Sequence, residues 1–386
     1  MIPYGQQHIT KEDIEAVVKV LQSEFITQGP VVGEFESVVS GYCLVKYGVA
    51  TNSATSALHL ACLALGVGAG DYVWTSANTF VASANCARYC GAKVGLVDID
   101  KDTGNMSVLD LERRLIDAEK AGSLPKVLIP VHFAGEPCDM LAISSLSKKY
   151  GFSIIEDASH AIGGEYRSQR IGSCEFSDIT VFSFHPVKII TTGEGGMAVT
   201  NNKKLYERMN LLRSHGITRD PSRMKGSFEG DWYYQQVDLG YNYRMTDIQA
   251  ALGISQMQRI DEMVRIRHQL AYKYDEAFNN FPIEILRRNP LNYSALHLYV
   301  IRFIGKDSAS IRLRSFNRLR ERGVGVNVHY IPVNNHPDFV KLGFIKGGFM
   351  SAQAYYDSAI TLPLHPKLIA EEQDKVIFEI TKLFNG

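Results

Sequence analysis

Three stretches of this sequence carry side chains of the types, and at the spacings, that chemistry would need. In the first, Phe182-Ser183-Phe184-His185-Pro186-Val187-Lys188 runs from an apolar, strand-like stretch into a lysine, and Thr191-Thr192-Gly193-Glu194-Gly195-Gly196 follows. A lysine between a strand and a glycine-rich turn is held near a sheet edge, where burial lowers the pKa of its amine and frees it to condense with an aldehyde. Taken alone such a lysine reads as a solvated loop residue; its company changes that. In the second, Ser153-Ile154-Ile155-Glu156-Asp157 is a strand that ends in a carboxylate, where doubly wound sheets place their ligands, and His160 lies three residues on. A buried carboxylate can face the ring nitrogen of a cofactor and keep a pyridine protonated, which makes the ring an electron sink. Without Lys188, Asp157 would read as a helix cap and His160 as a packed core histidine. In the third, Asn52-Ser53-Ala54-Thr55-Ser56-Ala57 places small residues where a strand turns into a helix, so that backbone N–H groups and the helix dipole can approach an anion, with Ser53 or Thr55 adding a hydroxyl. It lacks the Gly-Lys-Ser/Thr ending of a nucleoside-triphosphate loop. Phe80, opening the next helix, could stack on a planar ring or simply pack in the core.

The elements that must position these residues follow from periodicity. From about residue 47 to about 215, short β-branched runs alternate with helical patterns, as in a largely parallel sheet flanked by helices. Strands are expected at 47–51, 72–75, 94–97, 127–133 and 153–156, with helices at 80–90, after Ser107, and at 139–150 up to Gly151. The runs 179–184 and 196–200 leave little room for a helix between them, which predicts a hairpin or a mixed sheet. The segment 217–245 lacks clean periodicity and reads as a long excursion able to reach another subunit. A long amphipathic helix opens near Thr246, and the remainder mixes strands (298–304, 324–330) with helices (308–322, 370–384). The division is a large domain over 1–250 and a small α+β domain over 251–386.

With 386 residues, the chain is long enough for two domains and a substantial core. Its 41 basic and 41 acidic residues cancel without like-charge blocks, so charge gives no reason to expect nucleic acid or an acidic membrane as partner. The cysteines Cys43, Cys62, Cys86, Cys90, Cys138 and Cys174 lack zinc-type pairing and read as buried thiols in a reducing compartment, with no metal. No apolar run of about 18 residues or leader-like N-terminus is present, which predicts a cytoplasmic, soluble protein.

Over nearly its whole length the chain resembles the DegT/DnrJ/EryC1/StrS family of sugar aminotransferases, which have the aspartate-aminotransferase-like fold. The matches are Phe25-Ile26-Thr27-Gln28-Gly29-Pro30, Asn52 to Thr55, Glu156 to His160, Ser183 to Lys188 with Thr191 to Gly196, and Leu239-Gly240-Tyr241-Asn242-Tyr243-Arg244. The resemblance implies an α/β fold, with a large, mixed, mostly parallel sheet domain and a small C-terminal domain, and pyridoxal 5'-phosphate as cofactor. It implies that Lys188 carries the cofactor as a Schiff base, that Asp157 pairs with the ring nitrogen, that His160 sits near the ring hydroxyl and that Phe80 stacks on the ring. Ala54, Thr55 and Ser183 would bind the phosphate together with Asn242 of a neighbouring subunit, which implies a homodimer with shared sites. Tyr4, Phe25, Ile26, Thr27 and the segment Asn327-Val328-His329-Tyr330 would lie near a nucleotide sugar.

Some members replace the lysine by histidine and remove a hydroxyl; retention of Lys188 favours transamination. The segments are most similar to those of the pseudaminic acid branch, implying transfer of the amino group of L-glutamate to C4 of a UDP-linked 4-keto-6-deoxy-N-acetylhexosamine. The alternatives are amination of another nucleotide-linked keto sugar at C4 or C3, and a non-catalytic, cofactor-binding regulator, which would need no proton shuttle. A nucleotide-dependent dehydrogenase would carry Gly-x-Gly-x-x-Gly after the first strand, and this chain does not.

Overall fold

Seven β-branched or apolar runs pair into one sheet: β1 (Tyr47–Thr51), β2 (Tyr72–Ser76), β3 (Lys93–Val97), β4 (Val127–Ile129), β5 (Ser153–Asp157), β6 (Ile179–Ser183) and β7 (Gly196–Thr200). A computed structural model describes residues 1–226 and 229–384; residues 227 and 228, inside the expected excursion, and the last two residues of the expected small domain lie outside the described residues. The strand order is β1-β7-β6-β5-β4-β2-β3. Only β7 runs against its neighbours, β1 and β6, while the other pairings are parallel. The sheet is therefore mixed and mostly parallel, as expected, and 179–184 with 196–200 form the antiparallel pair.

Thirteen helices are described: α1 (Lys11–Leu21), α2 (Pro30–Cys43), α3 (Ala54–Ala64), α4 (Ala82–Tyr89), α5 (Val108–Ala121), α6 (Met140–Tyr150), α7 (Lys203–Arg213), α8 (Asp247–Met257), α9 (Ile260–Phe278), α10 (Ser308–Glu321), α11 (Pro337–Lys341), α12 (Met350–Ser358) and α13 (Ala370–Thr381). Local chemistry sets their ends. Ser107 accepts the N–H of Asp110 at the start of α5, and Gly151 ends α6 in the left-handed conformation. The two faces of the sheet carry separate apolar cores, one including Phe35, Leu111, Leu128, Phe182 and Met197 and the other Leu58, Leu60, Val127, Ile155 and Val181. Each such side chain contributes roughly 1.5 to 3 kcal/mol on full burial.

A second, three-stranded antiparallel sheet of β8 (Ile283–Ile285), β9 (Tyr299–Phe303) and β10 (Ala359–Leu362) has its own core with Tyr274, Phe278, Leu319 and Val376. Helix α9 joins the two lobes: Ile260, Met263 and Val264 pack in the first core, and Ala271, Tyr274 and Phe278 in the second. Near its middle, the fully buried Arg267 donates to the carbonyls of Leu364 (2.7 Å), His297 (3.2 Å) and Leu296 (3.4 Å). Ile2 packs in the second core too, its backbone bonded to Gly323 and Gly325, so the N-terminal residues lie against the small lobe.

Three expected elements differ. The strand at 127–133 stops at Ile129, because Pro130 has no N–H to continue the ladder. The rod opening at Thr246 breaks after Met257, beside the point where Ser255, Gln256 and Arg259 all bind the buried carboxylate of Asp13. Residues 324–330 make only single-residue bridges, Val324 to Ile2 and Asn327 to Thr361. There the amides turn to side chains: Val328 N–H donates to Asn327 Oδ1 (2.8 Å) and Tyr330 N–H to Asn78 Oδ1 (3.1 Å). The six cysteines are unbridged; Cys90 and Cys174 are half-buried rather than buried. No described helix is long and apolar enough to cross a membrane.

Candidate active site

The C-terminal ends of β1, β2, β5 and β6 open onto one cavity of about 890 Å³, within the size range of small-molecule sites. Each strand delivers one part of its lining. β1 runs into Asn52 to Thr55, β2 into Thr79 and Phe80, β5 ends in Asp157, and β6 ends in Ser183 with Lys188 just beyond. The opposite wall is formed by Tyr4, His297 and Asn327 to Tyr330.

Lys188 and Asp157 line the same cavity. Lys188 is half-buried on the cavity wall, and desolvation lowers the pKa of its amine to about 8 against the opposing pull of Asp157. Asp157 is buried: its Oδ2 accepts from Ser83 Oγ (2.6 Å) and its Oδ1 from the N–H of Ser159 (3.1 Å). His160 is equally buried. Its Nε2 lies 3.0 Å from Tyr330 Oη, while its buried Nδ1 has no partner among the described residues. Burial, reinforced by the nearby Lys188 and His329, pushes the His160 pKa well below the ordinary value.

At the first turn of α3, Ser53 Oγ accepts from the N–H of Ser56 (3.2 Å), and Ser56 Oγ donates to Asn52 Oδ1 (2.6 Å). The amides of Ala54 and Thr55 sit at the helix start, where no intrahelical acceptor exists. Gly196, paired with Thr51, leaves room for that turn: a Cβ there would stand 2.4 Å from the nitrogen of Ala54. Phe80 precedes α4 by two residues and is 58% exposed, its ring facing the cavity 6.2 Å from that of Tyr330.

The expected site residues do not all converge. Ala54, Thr55, Phe80, Asp157, His160, Ser183, Lys188, Tyr4, Asn327, His329 and Tyr330 line the cavity, whereas Phe25, Ile26, Thr27 and Asn242 do not. Phe25 lines a separate groove between α1, α2 and α8 and is half-exposed, as is Ile26. Thr27 bridges Thr246, and Asn242 bridges Ser214 with its side chain exposed.

Sequence reasoning missed His297, Ser83 and Thr79. His297 is buried with its ring 4.4 Å from that of His160 and its Nδ1 unpartnered among the described residues. Burial, with His160 and Lys188 nearby, pushes its pKa well down. Inside the apolar run Ala295 to Val300 it carries no local signal beyond that of a core histidine. Thr79 and Ser83, four residues apart at the start of a helix, were a weak signal for side chains on one face. His329 is also held neutral: burial, then Lys188, lowers its pKa to about 3, and its Nδ1 lies 2.8 Å from Thr361 Oγ1.

The sequence model of the DegT/DnrJ/EryC1/StrS aminotransferase family matches residues 7–381. A relative from Campylobacter jejuni, UDP-4-amino-4,6-dideoxy-N-acetyl-beta-L-altrosamine transaminase, is 39% identical over 371 residues, covering 95% of this chain and 93% of the relative. The GDP-perosamine synthase of Caulobacter vibrioides is 34% identical over 365 residues, 94% of this chain and 92% of the relative. Among solved structures, Helicobacter pylori PseC, described as an aminotransferase involved in the biosynthesis of pseudoaminic acid, superposes with a TM-score of 0.89. It is 32% identical, with 100% of this chain and 99% of that chain covered.

Proposed function

Because the chain belongs to the DegT/DnrJ/EryC1/StrS aminotransferase family, we propose that it is a pyridoxal-phosphate-dependent enzyme moving the amino group of L-glutamate to C4 of a UDP-linked 4-keto-6-deoxy-N-acetylhexosamine. The observation that carries this reading is the placement of half-buried Lys188, its amine's pKa lowered to about 8, on the same cavity as the Asp157 carboxylate.

The residues fit the cofactor on several counts. The amides of Ala54 and Thr55 at the start of α3, with the hydroxyls of Thr55 and Ser183, suit a phosphate dianion. The unpartnered Nδ1 of His160 suits a polar group such as a ring hydroxyl. Asp157 suits the ring nitrogen, and Phe80 one face of the ring. Pyridoxal phosphate supplies an aldehyde that accepts the donor's amine and a ring that takes up the electrons of the bond broken at the donor's α-carbon.

The chain's part is to bind, orient and move a proton. Lys188 would hold the cofactor, and its amine, once freed by the amino donor and neutral above about pH 8, would take the α-proton of glutamate and pass it to the cofactor's aldehyde carbon. With the keto sugar in place Lys188 moves a proton in the reverse direction. Asp157 would keep the ring nitrogen charged. Tyr4, Asn327, His329 and Tyr330 line the side left for the sugar. In a homodimer, the exposed Phe25, Ile26, Thr27 and Asn242 would complete the site of the other copy.

The 4-amino sugar named for the altrosamine transaminase supports amination at C4, the similarity to the perosamine synthase supports a nucleotide-linked sugar, and the UDP-linked N-acetylhexosamine rests on the greater identity to the former. Purified protein mixed with glutamate is expected to convert the absorption of the bound aldehyde form to that of pyridoxamine phosphate, and a panel of UDP-, GDP- and dTDP-linked 4-keto sugars, followed by NMR at C4, would identify the acceptor. An absorption that glutamate leaves unchanged would overturn the donor, and preference for a GDP- or dTDP-linked sugar would overturn the acceptor.

A further inference from the structure

Behind Asp157 stands a short chain of hydroxyls. Ser83, on the first turn of α4, has no solvent exposure, and its Oγ lies 2.6 Å from Asp157 Oδ2 and 2.9 Å from Thr79 Oγ1, with the carbonyl of Phe80 more distant at 3.4 Å. A serine hydroxyl has one proton to give. A carboxylate oxygen can only accept, so at 2.6 Å the proton of Ser83 is directed to Asp157, and Thr79 donates in turn to Ser83. The hydroxyls thus run in one sense, Thr79 to Ser83 to Asp157, inside a region shielded from water, where aligned hydrogen bonds strengthen one another.

We propose that Ser83 is a positioning residue that keeps the proton shared between Asp157 and the cofactor on the ring nitrogen. This rests on the reading of Asp157 as partner of that nitrogen. A proton between a carboxylate and a pyridine in a dry site has two resting places. Hydrogen bonds to the carboxylate favour its charged form and leave the proton on nitrogen. Removing the Ser83 donor makes the oxygen a better base, draws the proton to it, and leaves a neutral ring that is a poorer electron sink. The Asp157 side chain also loses the contact that fixes its Oδ2, leaving the Ser159 N–H on Oδ1 as its remaining hydrogen bond among the described residues. Ser83 does not touch the reacting atoms and acts only through Asp157.

The test uses the full-length protein reconstituted with pyridoxal phosphate carrying ¹⁵N in the ring. In the unaltered protein the ring nitrogen resonates as a pyridinium. Ser83→Ala is expected to shift that resonance toward neutral pyridine and to lower kcat for the glutamate half-reaction about tenfold with KM nearly unchanged, while Ser83→Thr restores both. Should Ser83→Ala fail to fold, Ser83→Cys, a weaker donor of similar size, is expected to give an intermediate resonance. An unaltered protein whose ring nitrogen is already neutral would overturn the Asp157 reading itself. A pyridinium resonance that stays unmoved in folded Ser83→Ala or Ser83→Cys would overturn the role of Ser83 alone.

Discussion

On one side of the cavity, the Ala54–Thr55 turn, Asp157 and Ser183 each sit at the end of a strand of a single seven-stranded sheet, whereas Tyr4, His297 and the 327–330 segment on the other side come from three separate stretches held to the small lobe. The first wall inherits its geometry from backbone ladders, and its polar atoms are tied to neighbours: Asp157 by Ser83 and Ser159, Ser53 by Ser56. The second wall is irregular, and three of its polar groups are buried histidines or a tyrosine held neutral by desolvation. The difference separates two tasks. On the proposed function, the ladder-built wall would fix the reaction, and the loop-built wall could change shape to suit the sugar without disturbing it.

The comparison breaks first at Lys188. Lys188→Ala is expected to retain cofactor, because the remaining groups of the ladder-built wall are untouched, and to lose turnover by on the order of a thousandfold or more. Single-turnover kinetics with glutamate and a cofactor binding isotherm measure the two separately; normal transamination by the variant would remove Lys188 from the mechanism.

Acid probes the second wall. His329 has its pKa lowered to about 3, and His160 and His297 are lowered too. Between pH 6.5 and 3 the unfolded chain therefore binds protons at these three histidines that the folded chain refuses, so their contribution to stability is constant above about 6.5 and declines as pH falls below it. Thermal midpoints of the cofactor-free protein should drop between pH 7 and 5. His329→Gln should flatten that slope, and an unchanged slope would deny that His329 is held neutral.

The gentlest probe is Tyr330→Phe, which removes the hydroxyl beside His160 Nε2 at 3.0 Å. The loss of one hydrogen bond, about 1 kcal/mol, corresponds to roughly a fivefold fall in kcat/KM. If the second wall serves the sugar, steady-state kinetics should place most of that fall in the sugar's KM and little in the glutamate half-reaction.

The same division governs what could be read from the residues alone. Lys188, Asp157 and the 52–57 turn were legible because each is announced by its own neighbours: an apolar strand before it, small residues or a glycine-rich turn after it. The mixed sheet was legible from the short spacing between 184 and 196. Residues 324–330 were not, since Val324 to Tyr330 has the composition of a strand and only the side-chain oxygens of Asn327 and Asn78, the latter some 250 positions away, draw its amides out of the ladder. His297 and Ser83 were hidden for a related reason: their significance lies in what they touch, His160 and Asp157, and neither partner is close in sequence.

Gly196 also bears on how freely the sequence can drift. The lone reversed strand presses its bare α-carbon against the start of α3 so tightly that even one methyl group would collide with Ala54. Strand pairing and the turn that opens α3 are thus written into the same atom's absence, and, with the Ala54 and Thr55 amides holding the phosphate as proposed, an alanine introduced there would be felt as lost grip on that phosphate before it was felt as a weaker sheet.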